Sequence, residues 1–247
     1  MEKIFTPLFR LISIAILSYY PHCVFAEFHG TITGTTNYVW RMYSKSNNKP
    51  AIQANLDYQH SIGFYTGVTA SSFNIGSSEL DDSLEFEGSA QAEIIPYVGW
   101  NFKPFDDWRV DLQYSHYFYD GFIYTLEGEY DEFYLFLHYK DLLSFQTSYA
   151  KDFYGLIGDA YFYELTGRYP ITDFLEASGS FGYANTKSVL SADYTYWNIG
   201  FTGKYKFIAL DLRYYEAGET NIEEELEFLD HPHTQKGTIV FSISAGF

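Results

Sequence analysis

Charged side chains recur at alternate positions of the extended stretches of this chain. Arg41, Arg109, Arg168, Lys204 and Arg213 are the bases; Asp57, Glu93, Asp111, Glu164 and Asp211 are the acids. The two sets balance. Charge held in a narrow, partly desolvated space needs a partner or water. Such residues either pair across neighbouring strands and brace a wall, or line a passage for small polar solutes, and both can hold at once.

Other chemistries fit less well. Hydrolysis by a nucleophilic serine needs a Ser, a His and an orienting polar group to converge. Ser115-His116 and His60-Ser61 are adjacent, but neighbours on a strand point to opposite faces, so neither pair is a dyad by itself. An acid–His protease needs a histidine beside carboxylates. His231 and His233, close to Glu223, Glu224, Glu225, Glu227 and Asp230, meet that need by composition only. The same stretch, Glu223–Asp230, has ligands for a divalent cation. Nothing in the sequence fixes their geometry, so it reads as a solvated acidic loop. No catalytic residue, metal or cofactor is assigned.

The elements that would position the charges are strands. Period-two patterning, the signature of extended chain, marks twelve: Phe28–Arg41, Pro50–Gln59, Gly63–Phe73, Glu87–Phe102, Trp108–Tyr119, Glu132–Lys140, Ser144–Lys151, Asp159–Tyr169, Leu175–Ala184, Tyr194–Lys206, Ala209–Tyr215 and Gly237–Phe247. Ile52, Ala54, Leu56 and Tyr58 alternate with Gln53, Asn55, Asp57 and Gln59; Leu210, Leu212 and Tyr214 alternate with Asp211 and Arg213. Short connections, such as His60–Ile62, Lys103–Asp107 and Phe207–Ile208, alternate with long ones, such as Met42–Lys49, Asn74–Phe86 and Glu216–Lys236. This regular alternation is expected of an up-and-down transmembrane β-barrel with tight turns at one end and loops at the other. In that architecture the apolar faces meet lipid and the charged faces meet the bore. Trp40, Trp100, Trp108, Tyr139 and Tyr169, near strand ends, suit the membrane interfaces.

Both ends of the chain agree. Phe241, Ile243 and Phe247 share one face of the last strand, and a terminal aromatic suits a barrel-closing signal read by the outer-membrane assembly machinery. Near the start, Lys3 and Arg10 flank an apolar run, Leu11–Leu17, and Val24-Phe25-Ala26 supplies a cleavage site. Residues 1–26 therefore read as a signal peptide cut after Ala26, and 27–247 as the barrel. Cys23 precedes the cut, which leaves a mature chain without thiol or disulfide chemistry. Aromatic residues make up 21% of the sequence, too many for a disordered chain, and a formal charge of -17 argues against a nucleic-acid partner.

One stretch resembles a known family. Asn37-Tyr38-Val39-Trp40-Arg41, Ser46-Asn47-Asn48-Lys49-Pro50-Ala51-Ile52-Gln53, Asp57-Tyr58 and Gly63-Phe64-Tyr65-Thr66-Gly67 look like the TorF family of porins, and Glu93, Tyr97 and Gly99 resemble its next motif. Met42 stands where a Gly is usual and Ile95 where an Asp is usual. The resemblance covers about the first third of the mature chain. It implies an outer-membrane barrel and a pore, but no substrate, because that family is named by likeness. The expectation is a bacterial outer-membrane protein in contact with lipid, forming a narrow passive channel for small hydrophilic solutes or ions, weakly cation-preferring. A closed structural or surface-interaction barrel is the alternative, with an outer-membrane hydrolase behind it. Twelve strands lie between barrels filled by side chains and barrels that leave an aqueous channel, so sequence does not decide whether the bore is open.

Overall fold

The computed structural model describes residues 27–41, 43–74, 90–123, 127–218 and 235–247. The chain runs through β1 (Glu27–Thr35), β2 (Val39–Trp40), β3 (Tyr43–Ser44), β4 (Ala51–Gln59), β5 (Phe64–Ser72), β6 (Ala92–Phe105), β7 (Trp108–Tyr119), β8 (Tyr130–Tyr139), β9 (Leu143–Lys151), β10 (Asp159–Thr172), β11 (Leu175–Asn185), β12 (Tyr194–Tyr205), β13 (Ile208–Ala217) and β14 (Thr238–Gly246). All but β2 and β3 form one closed antiparallel barrel, each strand paired with its sequence neighbour and β1 paired with β14. The expected twelve-stranded fold is thus the observed one. Barrel strands run from 9 to 14 residues, long enough to cross a hydrocarbon layer when tilted. No helix among the described residues is long and apolar enough to cross a membrane.

Alternation sorts the two faces as the sequence suggests. Ile52, Leu56, Trp100, Leu112, Phe133, Leu165, Phe201, Leu212, Ile239 and Phe241 are exposed on the outside. An exterior this apolar belongs in lipid, because in water it would be a contiguous sticky patch around the whole barrel. Each barrel strand is hydrogen-bonded on both sides, so the ring leaves no free edge, which hydrocarbon demands.

The turns at one end are tight. Lys140 (φ 50°) and Asp141 (φ 55°) both lie in the left-handed region, as the central residues of a tight turn closed by Leu142 N–H donating to the Tyr139 carbonyl at 3.0 Å. The sheet continues to Phe105 and resumes at Trp108, so the expected Lys103–Asp107 link shrinks to Asp106-Asp107; the register shift between Phe102 and Phe105 accommodates the extra residues. At the seam, Gly30 N–H donates to the Phe247 carbonyl (3.0 Å) and Phe247 N–H to the Gly30 carbonyl (2.9 Å). A side chain at Gly30 would strike the Phe247 ring, so only glycine lets that ring lie over the seam.

The first strand departs from expectation. It stops at Thr35 rather than Arg41, and β2 and β3 form a small hairpin of their own. The cause is a knot of short polar side chains. Asn37 donates from Nδ2 to Asn48 Oδ1 (3.0 Å) and Gln235 Oε1 (2.9 Å), and its Oδ1 accepts from Ser44 Oγ (2.6 Å). Such side chains compete with the ladder for backbone partners and turn the chain. Arg41 then takes φ 58° at the hairpin tip. The segment folds into the barrel at its loop end.

Candidate functional site

The hairpin carries Arg41 and Lys45 into the bore, and each meets a wall carboxylate. Lys45 Nζ lies 2.5 Å from Glu93 Oε2, with side-chain exposures of 1% and 0%. Tyr38 OH donates to Glu93 Oε1 and Tyr119 OH to Glu93 Oε2, both at 2.9 Å. Arg41 Nη2 donates to Glu132 Oε1 and, at 3.1 Å, to Ser148 Oγ. The guanidinium sits over the rings of Trp40 (3.8 Å) and Phe162 (3.2 Å), and Lys45 Nζ lies 4.1 Å from the centre of Trp40. Burial pushes the Lys45 amine below its ordinary value even with the Glu93 carboxylate beside it.

Aromatic rings seal this level. Tyr43, Phe73, Tyr117, Tyr119, Tyr130, Phe153, Tyr154, Phe162, Tyr194 and Tyr196 form one buried cluster against which Trp40 packs. Small residues on the wall, Ala150, Ala160 and Ala184, leave the room these rings fill. A 3-10 turn, Phe153–Gly155, delivers two of them from the β9–β10 loop. The loop-end half of the barrel thus has a core like that of a soluble protein, built inside the wall. Trp40, expected at a membrane interface, belongs to this interior, because its strand ended early.

Below the cluster, toward the short turns, the bore is polar and wet. Arg213 donates from Nη2 to Asp211 Oδ2 (3.0 Å), and its other contacts are Asn198 Oδ1 (2.7 Å) and Ser178 Oγ (2.9 Å). Asp211 also accepts from Thr202 Oγ1 at 2.7 Å. Asp111 accepts from Tyr65 OH at 2.6 Å. Arg168 Nη1 donates to Ser144 Oγ at 2.8 Å, and Glu164 accepts from Thr166 Oγ1 at 3.2 Å. Asp57 lies 3.5 Å from His29, and Arg109 lies 3.5 Å from Asp141 of the adjoining turn. Lys204 is exposed at the short-turn mouth.

The structure therefore divides the expected bore residues by depth. Asp57, Arg109, Asp111, Glu164, Arg168, Lys204, Asp211 and Arg213 sit on the wall of the polar half, whereas Glu93 sits on the wall of the sealed half. Arg41 is inside the barrel but on the hairpin, not on the wall. Lys45, which the sequence places in the long connection Met42–Lys49, is inside and sealed from water. Glu132 was missed. Its signal was available: it shares alternate positions with Tyr134, Phe136 and His138, but both faces of that strand are rich in aromatic and aliphatic residues, and the single acid did not break the tie.

Ser115 and His116 point apart. Ser115 Oγ accepts from Gln113 inside the bore (2.9 Å), while His116 Nδ1 meets Asp131 Oδ1 (2.6 Å) on the other face. His60 and Ser61 occupy a tight turn, where His60 Nδ1 accepts from Ile62 N–H at 3.3 Å. Residues 1–26, Met42 and the segment carrying Glu223–Asp230, His231 and His233 lie outside the described residues. Among the described residues no group of three or more His, Cys, Asp or Glu is arranged to hold a metal ion.

A family model described as "Bacterial protein of unknown function (Gcw_chp)" matches residues 23–247. No curated protein matches the chain. Solved structures do. The KdgM porin in complex with disordered oligogalacturonate superposes with a TM-score of 0.54 at 7% identity, covering 90% of this chain and 98% of that one. The NanC porin gives 0.52 at 12% identity, covering 88% and 98%. At such identities the likeness is one of fold.

Proposed function

Because the chain belongs to the Gcw_chp family of unknown function, whose description names no activity, we propose from the barrel itself that it is a bacterial outer-membrane channel. It passes small hydrophilic solutes or ions, and in this conformation the first loop closes it. The observation that carries this reading is the pairing of an apolar exterior with a bore that is charged and water-exposed up to the hairpin. A barrel with no traffic has no need of that wet half. The fold shared with two porins and the TorF-like first hairpin support it.

In this reading the short turns face the periplasm and the loops the exterior. The signal peptide is cut after Ala26, and the assembly machinery reads Phe241, Ile243 and Phe247. Cation preference is weak and comes from the acidic loops rather than from the balanced wall. Glu127 and Glu129 are exposed at the loop end, and Lys45 is withdrawn from that mouth, which makes the charge there more acidic.

The sealed hairpin favours a second reading, a closed barrel with a structural or surface role. Single-channel recording of refolded protein separates them. Discrete conductance steps, present in the native protein or in one whose hairpin is loosened, support the channel. Silence in both, with the barrel intact, favours the closed form.

A further inference from the structure

The inner face of β8 reads Tyr130, Glu132, Tyr134, Phe136, His138. Tyr130 and Glu132 belong to the sealed level; the next three are rings, and they are parallel. Tyr134 and Phe136 have centroids 5.6 Å apart and Phe136 and His138 6.1 Å apart, with 6° between planes in both cases. All three are half-buried; the Tyr134 hydroxyl pairs with Tyr117 OH at 2.5 Å and His138 Nδ1 with Ser144 Oγ at 2.8 Å, so the rings rather than these polar atoms are what a solute can meet. Phe136 is the anomaly. It is apolar, stands outside the buried cluster, and faces a space walled mostly by amides, hydroxyls and charges. Stacked between Tyr134 and His138, it still leaves part of its ring unburied, which forgoes the stabilisation that burial would bring, so that part is available for another partner.

The strand register surrounds these rings with hydrogen-bonding groups. Gln113 lies directly across from Tyr134, Asp111 and Gln146 from Phe136, and Arg109 and Ser144 from His138. A solute matched to this strip has an apolar face of C–H groups to lie on the rings and a rim of hydroxyls to meet donors and acceptors on both sides. A pyranose ring has that shape. A peptide without ring side chains, such as triglycine, has no such face to lay on them.

We propose that Tyr134, Phe136 and His138 form a saccharide-binding track, entered from the short-turn mouth and ending beneath the hairpin. The track deepens the channel reading by naming the solute class, and rests on it for any passage across the membrane; binding itself does not require the hairpin to move. Saturation-transfer NMR on refolded barrel, titrated with maltotriose and separately with triglycine, tests it. Maltotriose is expected to bind through C–H protons of one ring face and triglycine not to bind. Phe136→Leu, which keeps the apolar bulk and loses the ring, should weaken maltotriose about ten-fold, the equivalent of about 1.4 kcal/mol. Phe136→Tyr should retain it. Heat-modifiable migration on a detergent gel checks that each variant is folded. No transfer to maltotriose in folded protein, equal affinity in Phe136→Leu, or triglycine binding as tightly as the sugar overturns the track. Sugar binding by a barrel that never conducts sustains the track and sinks the channel; conduction without sugar binding does the reverse.

Discussion

Glu93→Gln should open the bore. Glu93 is fully buried and takes three hydrogen bonds, from Lys45 Nζ at 2.5 Å and from Tyr38 and Tyr119 at 2.9 Å. An amide keeps one acceptor oxygen, brings an NH2 group against hydroxyl donors, and leaves the Lys45 ammonium without a counter-charge. Removing one partner of a buried ion pair costs about 3–5 kcal/mol. The barrel ladder does not include the hairpin, so the cheapest relief is withdrawal of the loop, which returns Lys45 to water and leaves the wall intact. At about 1.4 kcal/mol per tenfold, the closed-to-open ratio falls by roughly two to three and a half powers of ten. Two assays read it. Conductance in planar bilayers should rise. Trypsin, which cannot reach Arg41 or Lys45 in the sealed state, should cut there at a rate that follows the open population. Lys45→Met combined with Glu93→Leu removes both charges and refills the space, and should close the bore again. If Glu93→Gln matches the native protein in both conductance and cleavage, the ion pair does not hold the hairpin and the reasoning fails. If the variant loses heat-modifiable migration, the hairpin is part of the barrel's folding core rather than a separable closure.

The remaining predictions concern the ends and the mouth. Deleting Phe247 removes the last rung with Gly30, and Gly30→Val denies the ring its seat; both should slow or abolish membrane insertion, read as loss of the fast-migrating unboiled gel band, and normal assembly of both would refute the seam argument. Intact mass of membrane-extracted protein should begin at Glu27; a mass retaining Cys23 would refute the cleavage site. Changing Glu223, Glu224, Glu225 and Glu227 to Gln should reduce cation preference, measured as reversal potential across a salt gradient. The effect should fade as salt rises, since loop charge acts over a Debye length of roughly 10 Å at 0.1 M; anion preference in the native protein would mean that wall arginines dominate instead.

The faces of the barrel were legible because a strand has only two, and lipid permits only one of them to carry charge. Asp211 between Leu210 and Leu212 is enough to orient β13, and Asp57 between Leu56 and Tyr58 orients β4. Depth was not legible. Arg41 and Arg109 look alike in sequence, yet one is sealed against Glu132 and the other reaches into an aqueous mouth, a difference made by a hairpin whose position depends on contacts far along the chain. Val39 and Trp40 continue the alternation of β1, so the pattern gave no reason to end the strand at Thr35. What ended it was the competition of Asn37, Ser44 and Asn48 for hydrogen bonds with each other and with Gln235, a partner about two hundred residues away that no local window contains.

The same long-range closure explains why the two halves of the bore differ in kind. A charge facing a water-filled bore can share its cost with solvent, so Arg109 tolerates a long, exposed contact with Asp141. A charge facing a sealed bore cannot. The structure meets that demand in full at Glu93, where three donors converge, and in part at Glu132, where Arg41 and Ser148 both donate to Oε1 while Oε2 is buried without a partner. Such a level is stable while every partner is present and fragile when one is lost. Wall carboxylates that depend on cations from a loop outside the ladder tie the state of the loop to the state of the bore. A barrel meant only to be shut could fill this level with more Phe and Ala, as it already does around Phe153 and Ala150. Holding it with two removable charges makes the closure breakable at a cost far below that of unfolding the wall, which is the property that a closed channel needs and a structural barrel does not.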